Sequence, residues 1–263
     1  MSNMKLCNLS SGSNGNCTYI EASKTSVLVD IGISGKRAIE ALAEINISPF
    51  DINAIFITHE HLDHIKGAGI FSRKFNTPIY ATRKTWDIIL EKNLIGKVSS
   101  DNIKIVERSN PVFMNELTIK AFEISHDAVD PVGYIFNNGE KKIGYLTDCG
   151  AVDKGIKNEL SNCDGIVLEF NHDPNMLQIG RYPYYLKRRI ASDIGHLSND
   201  DAANLLAHLY HKKLKWAVLA HISNENNIPE LAYLSAKNIL ESNNINIKLY
   251  IAQQKKLSPI LIA

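Results

Sequence analysis

One stretch constrains this chain of 263 residues more than any other: Thr58-His59-Glu60-His61-Leu62-Asp63-His64, entered directly from the apolar run Ala54-Ile55-Phe56-Ile57. The run has the length and composition of a buried strand. Behind it, three imidazoles and the Asp63 carboxylate fall within positions 59–64. These are donor types that divalent zinc, manganese or iron accept. One histidine is ordinarily a core or surface residue; three at this spacing around an aspartate are hard to explain as packing. Asp63 has a second reading, as a carboxylate favoured in the first turn of a helix. Ile65 to Phe75 reads as that helix, with Gly67 and Gly69 letting the backbone turn close to the site.

Other polar residues stand where apolar runs stop. Met4 to Leu9 reads as a first strand, followed by the small, glycine-rich loop Ser10-Ser11-Gly12-Ser13-Asn14-Gly15-Asn16-Cys17. That loop is either a plain hairpin turn or a nest of backbone N–H groups facing an anion. Thr18 to Glu21 and Val27 to Val29 read as paired strands, the second ending in Asp30. Asp30 either orients the histidine loop by hydrogen bonding or caps the helix expected over Ser34 to Ile45. Strands over Pro78 to Ala81, Ile103 to Glu107 and Pro111 to Phe113 precede Leu117 to Ile124, which runs into Ser125-His126-Asp127. Asp127 either orients His126 or is solvated. Gly133 to Asn137 and Lys141 to Leu146 flank Asn138-Gly139, a strong two-residue hairpin signal. The second of them stops at Thr147-Asp148-Cys149-Gly150, where Asp148 on its residue type alone is equally a turn aspartate. Gly165 to Leu168 ends in Glu169-Phe170-Asn171-His172. Glu169 either holds a histidine or assists proton transfer, and His172 either reaches substrate or is a loop histidine.

Arg181-Tyr182-Pro183-Tyr184-Tyr185-Leu186-Lys187-Arg188-Arg189 interleaves cations with tyrosines. That pattern suits phosphate contact and base stacking. It equally suits a helix with an aromatic packing face. Ser198 is a good cap for a helix to about Tyr210, with His196 just upstream. Trp216 to Ala220 is a buried strand ending in His221, Pro229 starts a helix to about Glu241, and Ile245 to Ile251 reads as a terminal strand.

His59-x-His61-x-Asp63-His64 resembles the signature of the metallo-β-lactamase-fold hydrolases, and the likeness runs from about Leu6 to the C-terminus. The Ser10–Cys17 loop and Ala220-His221-Ile222-Ser223-Asn224-Glu225-Asn226-Asn227 make the chain similar to the YycJ/WalJ-type branch, regarded as DNA exonucleases. The resemblance implies an α/β fold, a four-layer αββα sandwich, as a single domain over residues 1–263. It implies two divalent ions (zinc, manganese or iron), with His59, His61 and His126 on one, Asp63, His64 and His221 on the other, and Asp148 bridging. A hydroxide between ions about 3.5–4 Å apart would attack phosphorus in line. Asp63, His196 and Glu169 are then the expected catalytic groups, His196 binding the scissile phosphate or protonating the leaving oxygen. Ser13, Asn14, His172, Arg181, Tyr184, Lys187 and Arg188 are expected at the substrate.

The implied activity is 5′ to 3′ exonuclease action on DNA ends. The alternatives are a small-substrate metallohydrolase, acting on a thioester or cyclic phosphodiester, and an RNase Z-like ribonuclease. Gly195-His196-Leu197-Ser198 resembles the phosphate-contacting loop of RNase Z-type enzymes, which a thioester hydrolase would not need. Asp148 and His221 stand only 73 positions apart, too close for the inserted domain of the larger RNA-processing members. Retention of His61 argues against the flavodiiron pattern, and none of the family's ligands is missing.

Composition sets the remaining limits. A net charge of +1 gives no global pull on a polyanion, so nucleic-acid binding requires a local patch. Cys7, Cys17, Cys149 and Cys163 form no C-x-x-C pair and read as reduced, mostly buried thiols of a cytoplasmic protein. Cys149, beside Asp148, is either reactive or a small core residue. The expectation is no signal peptide, membrane span or short repeat.

Overall fold

A computed structural model describes residues 3–263. Its first sheet holds β1 (Met4–Ser10), β2 (Cys17–Ala22), β3 (Thr25–Val29), β4 (Ile52–Phe56), β5 (Ile79–Ala81) and β6 (Ile103–Ile105). The second holds β7 (Val112–Met114), β8 (Leu117–Glu123), β9 (Val132–Asn137), β10 (Lys142–Leu146), β11 (Gly165–Glu169), β12 (Trp216–Ala220) and β13 (Lys248–Ile251). A last strand, β14 (Leu261–Ile262), returns to the first sheet, which has the order β14-β1-β2-β3-β4-β5-β6. The second sheet has the order β13-β12-β11-β10-β9-β8-β7. The helices are α1 (Gly35–Glu44), α2 (Leu62–Ile65), α3 (Ala68–Phe75), α4 (Arg83–Glu91), α5 (Lys154–Leu160), α6 (Pro174–Ile179), α7 (Tyr184–Ile190), α8 (Asn199–Leu209) and α9 (Pro229–Ser242).

The four layers follow from strand alternation, because successive side chains point to opposite faces. On β3, Val27 and Val29 join a core shared by both sheets, while Leu28 joins the core under α1, α3 and α4. On β11, Val167 faces the shared core, while Ile166 and Leu168 pack with α5, α8 and α9. Both sheets are therefore apolar on both faces, which a helix–sheet–sheet–helix stack requires.

Strand direction then sets the working edge. β10, β11, β12 and β13 run parallel, and β9 is antiparallel to both β8 and β10. β8 consequently points the same way as β10. The C-terminal ends of β8, β10, β11 and β12 share one edge, where chemistry-bearing loops collect.

Local signals explain most boundaries. Ser34, Thr82 and Ser198 each accept a backbone N–H at the start of α1, α4 and α8. The hairpin between β9 and β10 turns at Gly139, φ 87°. The expected helix over Ile65 to Phe75 is instead two helices broken at Lys66-Gly67. A Cβ on Gly67 would stand 2.3 Å from the Ile33 carbonyl oxygen, so the break seats the chain against the β3–α1 loop. Gly69 does not serve the site; its missing side chain admits the Ile95 carbonyl. The strand expected from Ile245 starts only at Lys248, because Ile245 N–H still closes the end of α9. It is also not the last strand: β14 adds to the edge of β1 with Lys5 opposite Ile262. Among the described residues, no helix is long and apolar enough to cross a membrane.

Candidate metal centre

Asp30, Asp148 and His221, the residues that stop β3, β10 and β12, all take left-handed backbone, with φ of 58°, 56° and 52°. That region is uncommon for side-chain-bearing residues, and aspartate and histidine are among those that enter it. Such strain concentrates at functional sites. Here it turns the chain sharply at the strand end and sets each side chain at the sheet edge.

Four groups of potential metal donors meet there, each with ligand atoms within 4.8 Å of one another. His59, His61 and His126 form one, and His59 Nε2 lies 3.0 Å from His61 Nδ1. Asp63, His64 and His221 form another: Asp63 Oδ2 is 3.4 Å from His64 Nε2 and 3.6 Å from His221 Nε2. Asp148 stands between them. One of its oxygens is 3.9 Å from His126 Nε2 and 3.4 Å from His221 Nε2; the other is 3.2 Å from His64 Nε2.

The far nitrogen of each imidazole explains the arrangement. His59 Nδ1 donates to Thr58 Oγ, 3.0 Å, and His64 Nδ1 to Asp30 Oδ2, 2.8 Å. His126 Nδ1 donates to the Gly195 carbonyl, 3.1 Å, and His221 Nδ1 to Glu169 Oε1, 2.9 Å. Each bond orients its ring and leaves the other nitrogen facing the cluster, the usual support of a metal-bound histidine. Asp30 in turn accepts Thr58 N–H and Thr58 Oγ, both at 2.9 Å. His126 Nε2, His221 Nε2 and Asp148 Oδ2 are buried with no hydrogen-bond partner. His64 is near Asp148 Oδ2 but not aligned as a bond. Orphaned buried polar atoms of this kind call for an ion or water. The donor set fits divalent metal.

Charge in the site is arranged for cation exchange. Burial pushes His59 and His126 below the ordinary histidine range, leaving them neutral. Burial would lower His221 too, but Asp148, Asp63 and Glu169 outweigh it and hold the group at about 10. His64 is likewise raised against its burial by Asp148, Asp30 and Asp63. In the metal-free protein these imidazoles carry the positive charge that a cation would replace.

Glu169 is 0 % exposed and spends both oxygens. Oε1 accepts His196 Nδ1 at 2.8 Å and His221 Nδ1, while Oε2 accepts the Cys149 and Leu197 N–H groups at 3.0 and 3.1 Å. Burial raises its pKa, but His196 and His221 dominate and hold it at about 2. Glu169 therefore holds His196 and His221 in place, the first of the two roles its position offers. His196 Nδ1 thus faces inward, leaving Nε2 on the open side.

The Ser10–Cys17 loop does not form an anion nest. The N–H groups of Ser11, Gly12, Asn14, Gly15 and Asn16 are already bonded within the protein. Ser13 and Asn14 sit exposed at its tip. Their neighbours, passed over in the sequence, touch the site: Ser11 Oγ accepts His221 N–H at 2.8 Å, and Asn16 Nδ2 is 3.2 Å from His64 Nε2. His172 is 4 % exposed, bridges Ser198 through its backbone, and keeps its Nδ1 buried with no hydrogen-bond partner.

Arg181, Tyr184, Lys187 and Arg188 lie on or just before α7, with Tyr184 75 % exposed and the Arg188 guanidinium 5.9 Å from its ring centroid. Arg189, in the same basic segment, ties the helix to the centre by ion-pairing Asp127, whose other oxygen is 3.3 Å from His126 Nε2. Cys149 is buried, which pushes its thiol to about 12, and the other three cysteines are also buried and free. Cys149 is therefore a core residue and not a nucleophile.

The beta-lactamase superfamily domain matches residues 25–222. The exodeoxyribonuclease WalJ of Streptococcus pneumoniae is 42% identical over 239 residues, covering 91% of this chain and 89% of that protein. The exodeoxyribonuclease YycJ of Bacillus anthracis is 41% identical over 242 residues, covering 91% and 90%. The metallo-beta-lactamase fold protein YhfI from Bacillus subtilis superposes with a TM-score of 0.73 over 98% of this chain and 99% of its own, at 16% identity. A histidine and aspartate cluster built from the ends of strands in both sheets, on this fold and with these relatives, makes the chain a member of the beta-lactamase superfamily, within the group that contains WalJ and YycJ.

Proposed function

We propose that this protein is a divalent-metal-dependent DNA exonuclease that removes nucleotides 5′ to 3′ from duplex ends. The observation that carries the reading is the paired donor set. Two clusters share Asp148, and His59, His64, His126 and His221 each have the far nitrogen tied back. His59, His61 and His126 would hold one ion, and Asp63, His64 and His221 the other. Zinc, manganese and iron all suit these ligands. Bound there, such ions supply Lewis acidity toward a phosphoryl oxygen and water activated at neutral pH.

The chain's own residues do the rest. His196 faces the open side through Nε2, with Nδ1 locked on Glu169. From that position it contacts the scissile phosphate and passes a proton to the departing O3′. The P–O3′ bond breaks, a water oxygen bonds phosphorus, and the chain keeps a 5′-phosphate. Residues 174–192 contain four cations and no carboxylate, so α7 offers phosphate contacts despite a net charge of only +1. Tyr184 and Tyr185 add exposed rings for stacking. Four buried free thiols suit a reducing, cytoplasmic setting.

The names of WalJ and YycJ support DNA over RNA, and α7 supports a polymer over a small thioester. The test is a time course of metal-reconstituted protein on end-labelled duplex DNA, beside single-stranded DNA, RNA and a thioester. Stepwise loss from the 5′ end, abolished by His61→Ala and slowed by His196→Ala, is the expected result. Turnover of the thioester with every nucleic acid intact would overturn the proposal.

A further inference from the structure

Helix α7 leaves its aromatic rings in water. None of its residues is buried, and Tyr184 and Tyr185 are 75 % and 74 % exposed. Rings that anchor a helix to a core are covered, so packing does not account for these two. Tyr184 instead lines a pocket of about 320 Å³ between α6 and α7, with Pro174, Leu177 and Ala191 as its other apolar walls and Lys187 and Arg188 at its edge. Pockets for organic ligands run from about 300 to 1,000 Å³, so this one suits a single planar ring system.

Both walls are tied to the metal centre. Asp173, the cap of α6, donates its N–H at 2.9 Å to the carbonyl of Asn226, on the loop that follows His221. α7 ends at Ile190, whose carbonyl accepts the His196 N–H at 2.9 Å, and Ala191 of the pocket is the next residue. A Cβ on Gly195 would lie 2.1 Å from that same carbonyl, so the glycine lets α7 approach the His196 loop. Lys187 Nζ donates across to the Gln178 carbonyl at 2.8 Å and holds the two helices together. A carbonyl does not cancel the lysine's charge, and residues 174–192 contain no carboxylate that could. An apolar slot edged by cations fits a base carried on a phosphate chain.

We infer that the pocket between α6 and α7 receives the base of the 5′-terminal nucleotide, the one about to be released. The inference rests on the exonuclease reading and deepens it. In that reaction His196 passes a proton to the departing O3′, which belongs to the terminal nucleotide. That nucleotide therefore lies on the His196 side of the centre, where the end of α7 is bonded to His196 itself. With the base against Tyr184, Lys187 and Arg188 stand beside the nucleotide's own 5′-phosphate, the group that each earlier cut leaves. Stacking on a tyrosine is open to every base, so the pocket grips an end without reading sequence. A base enters it only once its pair has opened, and the contact offsets part of that cost. A terminal pair opens more readily than one held on both sides, which favours action at ends over internal cutting.

The test measures how much rate each protein draws from the terminal base. Metal-reconstituted wild type, Tyr184→Ala and Tyr184→Phe are assayed on duplexes with a one-nucleotide 5′ overhang that is either intact or abasic, so that no pair has to open in either. Wild-type kcat/KM should be about tenfold higher on the intact end, the scale of one base–aromatic stack. Tyr184→Ala should lose that tenfold on the intact end and turn over the two ends alike, because ring and base contribute one interaction. Tyr184→Phe, which keeps the ring, should keep the tenfold preference. Equal wild-type rates on the two ends, or a tenfold preference that survives in Tyr184→Ala, would overturn the pocket while leaving the exonuclease standing. Wild type inert on every DNA end would remove the exonuclease reading, and the pocket with it.

Discussion

Replacing Glu169 by glutamine removes one charge and no volume, yet it should disable the centre. The carboxylate accepts two imidazole N–H groups on Oε1 and two backbone N–H groups on Oε2. A glutamine amide presents one oxygen and one NH₂. Whichever way it is turned, the NH₂ faces two donors, and two of four bonds are lost. Hydrogen bonds to a charged partner contribute about 1.5–3 kcal/mol each. Breaking one side of a buried charged network costs about 3–5 kcal/mol. Glu169→Gln should therefore destabilise the metal-free protein by about 3–5 kcal/mol, read by denaturant unfolding. Because His221 loses the acceptor that aims Nε2, metal affinity should fall about 10–100-fold, read by chelator competition. Unfolding midpoint and metal affinity both equal to wild type would refute the assignment of Glu169 as the hub.

Asp30→Ala leaves His64 Nδ1 and Thr58 N–H without their buried acceptor and should cost about 3–5 kcal/mol by the same denaturant measurement. Gly32→Ala should cost about 3 kcal/mol or more and weaken metal binding, since its Cβ would lie 1.6 Å from the Asp63 carbonyl oxygen; a variant with wild-type stability and affinity would contradict this. Metal binding should release protons at neutral pH, because His64 and His221 are raised and stay protonated in the metal-free site. Affinity should then fall by about tenfold per pH unit for each proton released as pH drops, with calorimetry in two buffers of unlike ionisation enthalpy giving the proton count. Lys187→Ala/Arg188→Ala should weaken DNA binding and flatten its salt dependence by about one to two in log–log slope, without changing metal affinity.

Strand ends were the legible part of this chain. A short apolar run that stops at a histidine or aspartate announces itself, so His59, His126, Asp148 and His221 were all visible at the ends of their strands. Helix starts were legible too, through Ser34 and Ser198. What stayed hidden depends on contacts between distant segments. Asn16 lies next to His64 only because β1 and β2 fold the loop over the edge, and no local pattern announces that 48-residue separation. The split between α2 and α3 is set by Ile33 pressing on Gly67, a tertiary constraint that helical periodicity overlooks. β14 has two residues, too few to show alternation. Glu169 was visible as a candidate, but its role turned on which four donors it met.

The most direct test of the central claim is a metal titration of activity: 5′-end-labelled duplex DNA, metal-free protein, and zinc, manganese or iron(II) added stepwise with bound metal counted in parallel. The account predicts mononucleotide release from the 5′ end that rises until two ions are bound per chain and is absent in His61→Ala. Full metal occupancy with the labelled end untouched, or internal cuts with the end retained, would contradict it.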